Sequence, residues 1–435
     1  MRRGAGVFAG VLGKVTAALV AAAVLGVTGY GWFLLRDFNR RVVVTDVLSP
    51  QADAERPLDG TVDILLVGMD SRTDARGRPL SAEQRKLLRV NAGDGEVNTD
   101  TIILVHVPSD TSRAVAVSIP RDSYVDIPGF GMHKINSAYP RGRNVERERL
   151  LAAGMPPGEE LERRSHQAGA RVLLKTVEKL TGRTIDHYAS VNLLGFYEIT
   201  KAIGGIEVCL KAPVQDVKSH ADFPAGRQVI SEGDALAFVR QRHGLPRGDL
   251  DRIVRQQVFL TGLARKVLST GTLTDPQRLN DLMDAITRSV VLSKGWDIMA
   301  FAQRMSSLTT DRVEFRTIPV GSLALPTPAD GAAVEVDPQR VREFIASLSE
   351  EEDEEAAAAR ERSSSAPPPP GNSSAPPSTT GSAPPSATTS APPPRAESAT
   401  PPEVPPSTAQ PPEDGEQTPE GGNRPITADE IPCVN

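Results

Sequence analysis

Two arginines separated by one residue, Arg240 and Arg242 in the run FVRQRHG, are the sharpest chemical signal in the chain. In an extended segment residues i and i+2 point to one side. Two guanidiniums so placed repel each other unless an anion lies between them, and their planar forks suit bidentate phosphate binding. Asp249, Arg252 and Gln256 follow at i, i+3 and i+7, one face of a helix, with Arg255 adjacent. Gly244, Pro246 and Gly248 provide a turn that could fold the two groups together. Asp70 follows an apolar run in GMDSR, which also carries Arg72, and Asp100 precedes another in NTDT. Carboxylates at neighbouring strand ends can share a rim and hold a hard cation such as Mg²⁺. Arg121-Asp122 closes a third apolar run. Taken singly, each of these has an ordinary reading: a surface arginine, a solvated helix face, a structural ion pair. Together they describe a cationic, carboxylate-edged pocket for a phosphate-bearing ligand. No GxxxxGK[ST], HExxH, GxSxG or CxxC motif is present, and His133 and His243 read as hydrogen-bonding loop residues.

Elements of both kinds must position these residues. Thr61–Gly68, Thr101–Val107 and Ala114–Ile119 read as strands, the last two joined by a Pro-Ser-Asp-Thr-Ser turn. Gly169–Thr181 reads as a helix, His187–Asn192 as a strand, and Leu193–Ile203 as a helix stopped by Gly204-Gly205. Ile206–Leu210 is strand-like, Leu250–Leu268 a long amphipathic helix, and Pro276–Leu308 two more helices. A strand over Val313–Val320 and a helix over Pro338–Leu348 complete the count. Residues 42–58 read as a spacer and 71–98 as a loop or flap. Mixed strands and helices predict an α/β or α+β class with one core over about residues 59–349.

Composition divides the 435-residue chain. Twenty of its 37 prolines lie after residue 366 and all 18 aromatics at or before Phe344, so residues 350–435 cannot build a packed core and read as an acidic, then Pro/Ser/Thr/Ala-rich disordered tail. That tail has 4 basic and 15 acidic residues, −11; the whole chain is −6, which leaves the body at +5. Val15–Leu35 is 21 residues without a charge, about 30 Å as a helix, and Arg36, Arg40 and Arg41 follow it. It reads as an uncleaved signal anchor after a cytoplasmic tail at 1–14, leaving a single-pass membrane protein with its C-terminal domain outside the cell. Tyr30 and Trp32 suit a membrane boundary. A nucleic-acid role needs a cytosolic basic domain, which an anchor before the body and an acidic tail after it oppose. The two cysteines, Cys209 and Cys433, allow either a disulfide in an oxidising compartment or one buried and one free thiol.

The order of the motifs goes further. DILLVGMDSR, NTDTIILVHV, VSIPRDSYVDIPG and HKINSAYP, then LLKTVEKLTG, DHYASVNLLGF, AIGGIEVCL and ALAFVRQRHGLPRGDLDRIVRQQ, together resemble the LytR-CpsA-Psr family of cell-envelope enzymes, in its actinobacterial type. The likeness runs collinearly from residue 61 to about 260. It implies an α/β/α-type sandwich around a central mixed sheet, with a long apolar groove for a polyprenyl chain. It also implies Mg²⁺-dependent transfer of a glycopolymer from a polyprenyl-pyrophosphate carrier to peptidoglycan, through a phosphodiester. Motif by motif, the metal-side aspartates fall on Asp70 and Asp100 and the pyrophosphate-binding arginines on Arg121, Arg240 and Arg242. Further functional positions fall on Asp249, Arg252 and Gln256, and Lys134 and Asn136 match the KIN segment at the same rim; Arg72, Arg255 and Asp122 stand beside them. Met69 occupies a position where a small polar residue is frequent, and the stretches 71–98 and 141–168 have no clear match. Members of this type often carry a cysteine in the GGIEVCL segment and another near the C-terminus, which favours the Cys209–Cys433 pairing. Two other functions use the same features: a hydrolase acting on lipid pyrophosphates, and a non-enzymatic wall-binding or regulatory protein.

Overall fold

The computed structural model describes residues 41–48, 60–90, 97–111, 113–268, 276–305, 308–348, 425–428 and 431–435. The apolar run 15–35, and with it the anchor, and most of the Pro-rich tail lie outside them. Among the described residues no helix is long and apolar enough to cross a membrane.

In chain order the strands are β1 (Val43–Thr45), β2 (Val62–Asp70), β3 (Asn98–Val107), β4 (Ala114–Ile119), β5 (Ser123–Ile127), β6 (Gly131–Lys134), β7 (His187–Asn192), β8 (Ile206–Leu210), β9 (Val214–Asp216), β10 (Ala221–Phe223), β11 (Gly226–Ile230), β12 (Val290–Ser293), β13 (Val313–Thr317), β14 (Leu325–Thr327), β15 (Gly331–Glu335), β16 (Ile426–Thr427) and β17 (Cys433–Val434). The helices are α1 (Ala82–Leu87), α2 (Ala138–Ala152), α3 (Glu159–Thr181), α4 (Leu193–Ala202), α5 (Glu232–Arg240), α6 (Asp249–Leu268), α7 (Pro276–Ser289), α8 (Ile298–Arg304) and α9 over 338–348.

Eight strands form a central mixed sheet in the order β1-β12-β7-β2-β3-β4-β13-β16. β2 pairs in parallel with β7 and antiparallel with β3, and β3 antiparallel with β4, so β2, β4 and β7 all run the same way. Alternation along the strands assigns the two faces. Leu65 and Val67 of β2 and Ile102 and Leu104 of β3 pack with Leu173, Val177 and Leu180 of α3 and with Val341 and Ile345 of α9. Ile103 and Val107 face the other way, where Leu260 and Ala264 of α6 approach. Helices therefore cover both faces, and burying each such aliphatic side chain contributes roughly 1.5–3 kcal/mol.

Several expectations change. Residues 42–58 are not all spacer: β1 joins the sheet edge beside β12, with Val43 opposite Val291. The flap 71–98 contains α1, started by a capping box between Ser81 and Gln84, a signal present in the sequence as S-x-x-Q. The unmatched stretch 141–168 is largely helical, shared by α2 and α3. The two helices within 276–308 are separated by β12, whose Val-Val-Leu run enters the sheet. Gly204 and Gly205 both take positive φ, +74° and +84°, and end α4 as expected.

The tail does not extend to its last residues either. β16 pairs with β13, and β17 lies parallel to β8, where Cys209 and Cys433 form a disulfide with their Cα atoms 4.3 Å apart.

Candidate active site

β2 and β4 end at the same edge of the sheet, and there the charged residues gather. Open α/β sheets bind ligands beyond the carboxyl ends of their strands. β2 delivers Asp70, and β4 is followed by Arg121 and Asp122. β3 runs the other way and starts here, carrying Asp100. Gly68 pairs with Thr101 and Met69 with Thr99, so Asp100 is the extra residue of a β-bulge. α5 ends at Arg240, and α6 begins at Asp249.

The ionic contacts link these residues. Arg240 Nη2 lies 3.5 Å from Asp70 Oδ1 and its Nη1 donates to Leu88 O at 3.4 Å. Arg121 pairs with Asp100, and Arg242 Nη2 lies 3.9 Å from the other oxygen of Asp100. Asp122 Oδ1 stands 3.6 Å from both Arg121 Nε and Lys134 Nζ. Arg252 pairs with Asp249 one helical turn away. With Arg72, also on the cleft wall, the residues so far named are six cations and four carboxylates.

Burial shapes the electrostatics. It lowers the pKa of Arg240, opposed by the charges of Asp70 and Asp100, and lowers that of Arg252, opposed chiefly by Asp249. Burial raises the Asp249 carboxyl above its ordinary range, against Arg252. Among the described residues, Asp249 Oδ2 and Arg252 Nε have no hydrogen-bond partner. A buried polar pair left unsatisfied in this way suits a site completed by a polar ligand.

The charged rim opens onto an apolar cleft of about 630 Å³ between the sheet and helices α4, α5 and α6. Leu66, Ile103 and Val191 form its floor, and Phe196, Phe259 and Leu263 its walls, with the two phenylalanine rings 4.8 Å apart. A second depression of about 770 Å³ between β1 and α3, lined by Arg163, Arg164 and Arg171 with Asp46 and Glu146, holds none of these residues.

Asp70, Arg72, Asp100, Arg240, Arg242, Arg252 and Gln256 all line the cleft. Arg121, Asp122, Lys134 and Asp249 join through the ion pairs just described. Arg240 and Arg242 do not both sit in an extended run, however: Arg240 is the last residue of α5, and Gln241 follows it at φ −57° and ψ 133°. Gln241 is buried between them.

Two expected ligand-binding residues are placed elsewhere. Asn136 lies in a buried 3₁₀ turn, where its N–H donates to Arg121 O at 3.1 Å and its carbonyl accepts from Thr99 Oγ1 at 3.3 Å. It braces the rim from behind. Arg255 is fully buried, donating from Nε to Asn435 O and from Nη1 to Gln241 Oε1, with its guanidinium 5.0 Å from the Phe238 ring centroid. Burial pulls its pKa down to about 10. At about 100° per residue, Arg255 stands one step round the helix from Gln256, enough to leave the cleft. Residues at the mouth that the sequence reading passed over include Thr101, Arg89 and Lys218. Arg89 came from the expected flap, and its bond to His220 O at 3.1 Å is a tertiary contact with no local signal.

Asp70 and Asp100 both flank Arg240, and among the described residues no group of three or more His, Cys, Asp or Glu side chains could enclose a metal alone. Two hard carboxylates at an open mouth fit an ion such as Mg²⁺, which keeps water and phosphate oxygens in its shell.

The family model described as "LytR_cpsA_psr family" matches residues 41–347. The cell wall biosynthesis protein LcpA of Corynebacterium glutamicum is 50% identical over 287 residues, 66% of this chain and 55% of that protein, so the chain spans about half the length of that relative. A polyisoprenyl-teichoic acid–peptidoglycan teichoic acid transferase, TagU of Enterococcus faecalis, is 26% identical over 300 residues, 69% of this chain and 82% of that one. Among solved structures, protein gbs0355 of Streptococcus agalactiae superposes with a TM-score of 0.50 at 18% identity, covering 70% of this chain and 91% of that chain, a likeness of fold.

Proposed function

Because the chain belongs to the LytR-CpsA-Psr family, we propose that it transfers a glycopolymer from a polyprenyl-pyrophosphate carrier to peptidoglycan. The observation that carries this reading is the amphipathic cleft. A floor of Leu66, Ile103 and Val191 meets a mouth carrying Arg240, Arg242 and Arg252, and a lipid pyrophosphate is apolar and anionic in the same order. The transferase named among the relatives supports the reaction class.

In this reading the apolar chain lies against Phe196 and Phe259, and Arg121, Arg240 and Arg242 bind the pyrophosphate. A peptidoglycan hydroxyl oxygen attacks the sugar-side phosphorus. A phosphodiester P–O bond forms, the bond to the bridging oxygen breaks, and polyprenyl phosphate leaves with that electron pair. The arginines hold the charge that develops. The hydroxyl proton goes to a carboxylate of the rim, for which Asp70, Asp122 and Asp249 are the candidates. Asp70 and Asp100 would hold a Mg²⁺, which neutralises phosphate charge when bound. The domain works outside the cell, tethered through residues 15–35; external protease on intact protoplasts tests that placement, and full protection of residues 42–435 would end it.

Incubating the purified protein with a short-chain polyprenyl-pyrophosphate sugar, with and without peptidoglycan, tests the reaction. Sugar phosphate on the wall polymer, with release of polyprenyl phosphate only when peptidoglycan is present, supports transfer. Equal release without peptidoglycan identifies a hydrolase instead, and no turnover in either arm removes the enzymatic reading.

A further inference from the structure

A chain of contacts connects the last described segment to the cleft. β17 lies parallel to β8, with Cys433 beside its disulfide partner Cys209, and Lys211 N–H donates to Val434 O at 2.8 Å. Ile431 and Val434 are buried in the core under α5 and α6. Asn435, next along, gives its carbonyl to Arg255 Nε. Arg255 Nη1 donates to Gln241 Oε1, and Gln241 Nε2 donates to His243 O at 3.0 Å. Gln241 is the one residue between Arg240 and Arg242. α5 has ended there, so no helical hydrogen bond sets the direction in which Arg242 leaves the helix. A buried side chain pinned at both ends of its amide does so instead. A charged guanidinium bond inside a protein is among the stronger ones available for this purpose.

We propose that residues 431–435, Arg255 and Gln241 form a positioning strut for the two cleft arginines, anchored by the Cys209–Cys433 bond. None of these residues lines the cleft; the strut sets the spacing of Arg240 and Arg242 and so the affinity for pyrophosphate. The proposal rests on reading the cleft as a lipid-pyrophosphate site.

The test uses the full chain and a short-chain polyprenyl pyrophosphate, with Kd from calorimetry and folding from circular dichroism, well below the melting temperature. Gln241→Met removes the acceptor while keeping the volume, and Cys433→Ser removes the anchor. Each is expected to weaken binding about tenfold, the worth of one hydrogen bond to a charged group. The double variant should be little weaker than either single one. Gln241→Glu keeps an acceptor for Arg255 but loses the bond from Nε2 to His243 O, so it should bind more weakly than wild type and more tightly than Gln241→Met. A merely structural element would lower the melting temperature and leave Kd unchanged. Should Cys433→Ser fail to fold, Gln241→Met against Gln241→Glu decides alone. Wild-type affinity in Gln241→Met, or equal weakening in Met and Glu, overturns the strut. Arg240→Ala separates the two levels: if it loses binding while Gln241→Met does not, only the strut falls; if it binds like wild type, the site reading falls and the strut with it.

Discussion

Asp100 reaches the same side of the sheet as Asp70 because it is the extra residue of a bulge opposite Gly68 and Met69. Regular alternation from Thr101, which pairs with Gly68, would turn Asp100 toward the face that Met69 occupies, packed against α2 and α3. The bulge instead leaves Asp100 and Thr101 together on the cleft wall. Both carboxylates then stand close enough to act on Arg240.

Gly68 permits that bulge. A Cβ there would lie 2.9 Å from Thr101 Cβ and 3.1 Å from its Oγ1. Gly68→Ala is expected to cost about 1–3 kcal/mol of stability through overpacking and to reduce transfer beyond that loss, because the aspartates move apart. Urea unfolding and turnover of the variant check this; an unchanged midpoint with unchanged turnover would remove the bulge from the account.

Arg240→Ala and Arg242→Ala are each expected to lower kcat/KM by roughly ten- to a hundredfold, the worth of a charged hydrogen bond of about 1.5–3 kcal/mol. Lysine restores charge without the bidentate fork and should rescue neither fully. Steady-state kinetics on folded variants decide, and wild-type turnover in both alanine variants would place the pocket elsewhere.

Asp100 is approached by Arg121 and Arg242 and is proposed to hold Mg²⁺ with Asp70. Asp100→Asn should lower activity and raise the Mg²⁺ concentration needed for half-maximal rate. Titrating Mg²⁺ against rate for Asp100→Asn and Arg252→Lys separates metal binding from general damage to the rim. A Mg²⁺ midpoint equal to wild type in Asp100→Asn would exclude it as a ligand.

His166 of α3 is held down to about 4, first by burial and then by the positive charge of Arg143, with Glu162 opposing. The folded protein therefore binds this proton less tightly than the unfolded chain, whose histidine titrates near pH 6.5. The contribution to stability is complete above about pH 6.5 and is lost as pH falls through about 4. At about 1.4 kcal/mol per pH unit between the two values, its upper bound is roughly 3 kcal/mol. His166→Gln retains an acceptor for the Tyr139 hydroxyl, 2.9 Å away in the native protein. It should flatten the urea midpoint between pH 6.5 and 4. An identical pH profile in variant and wild type would clear His166 of this role.

Much of the frame was legible in the residues themselves. The apolar runs Thr61–Gly68 and Thr101–Val107 named two of the sheet's strands, and the spacing of Arg252 and Gln256 put both on the cleft side of α6. These signals are local: a strand repeats every two residues and a helix every 3.6, so neighbours in sequence declare a shared face. The same rules failed where one position departs from the repeat. Asp100 changes face through a bulge, and Arg240 and Arg242 are neighbours across a helix end rather than along an extended run. Arg255, expected beside the polar stripe as a ligand-binding residue, is fully buried against Phe238. The sequence alone therefore determined which residue types and which elements could build a phosphate site. Tertiary structure decided which of them face it, because Arg255 is turned by an acceptor on Asn435, 180 residues away, and no local pattern encodes a partner at that distance.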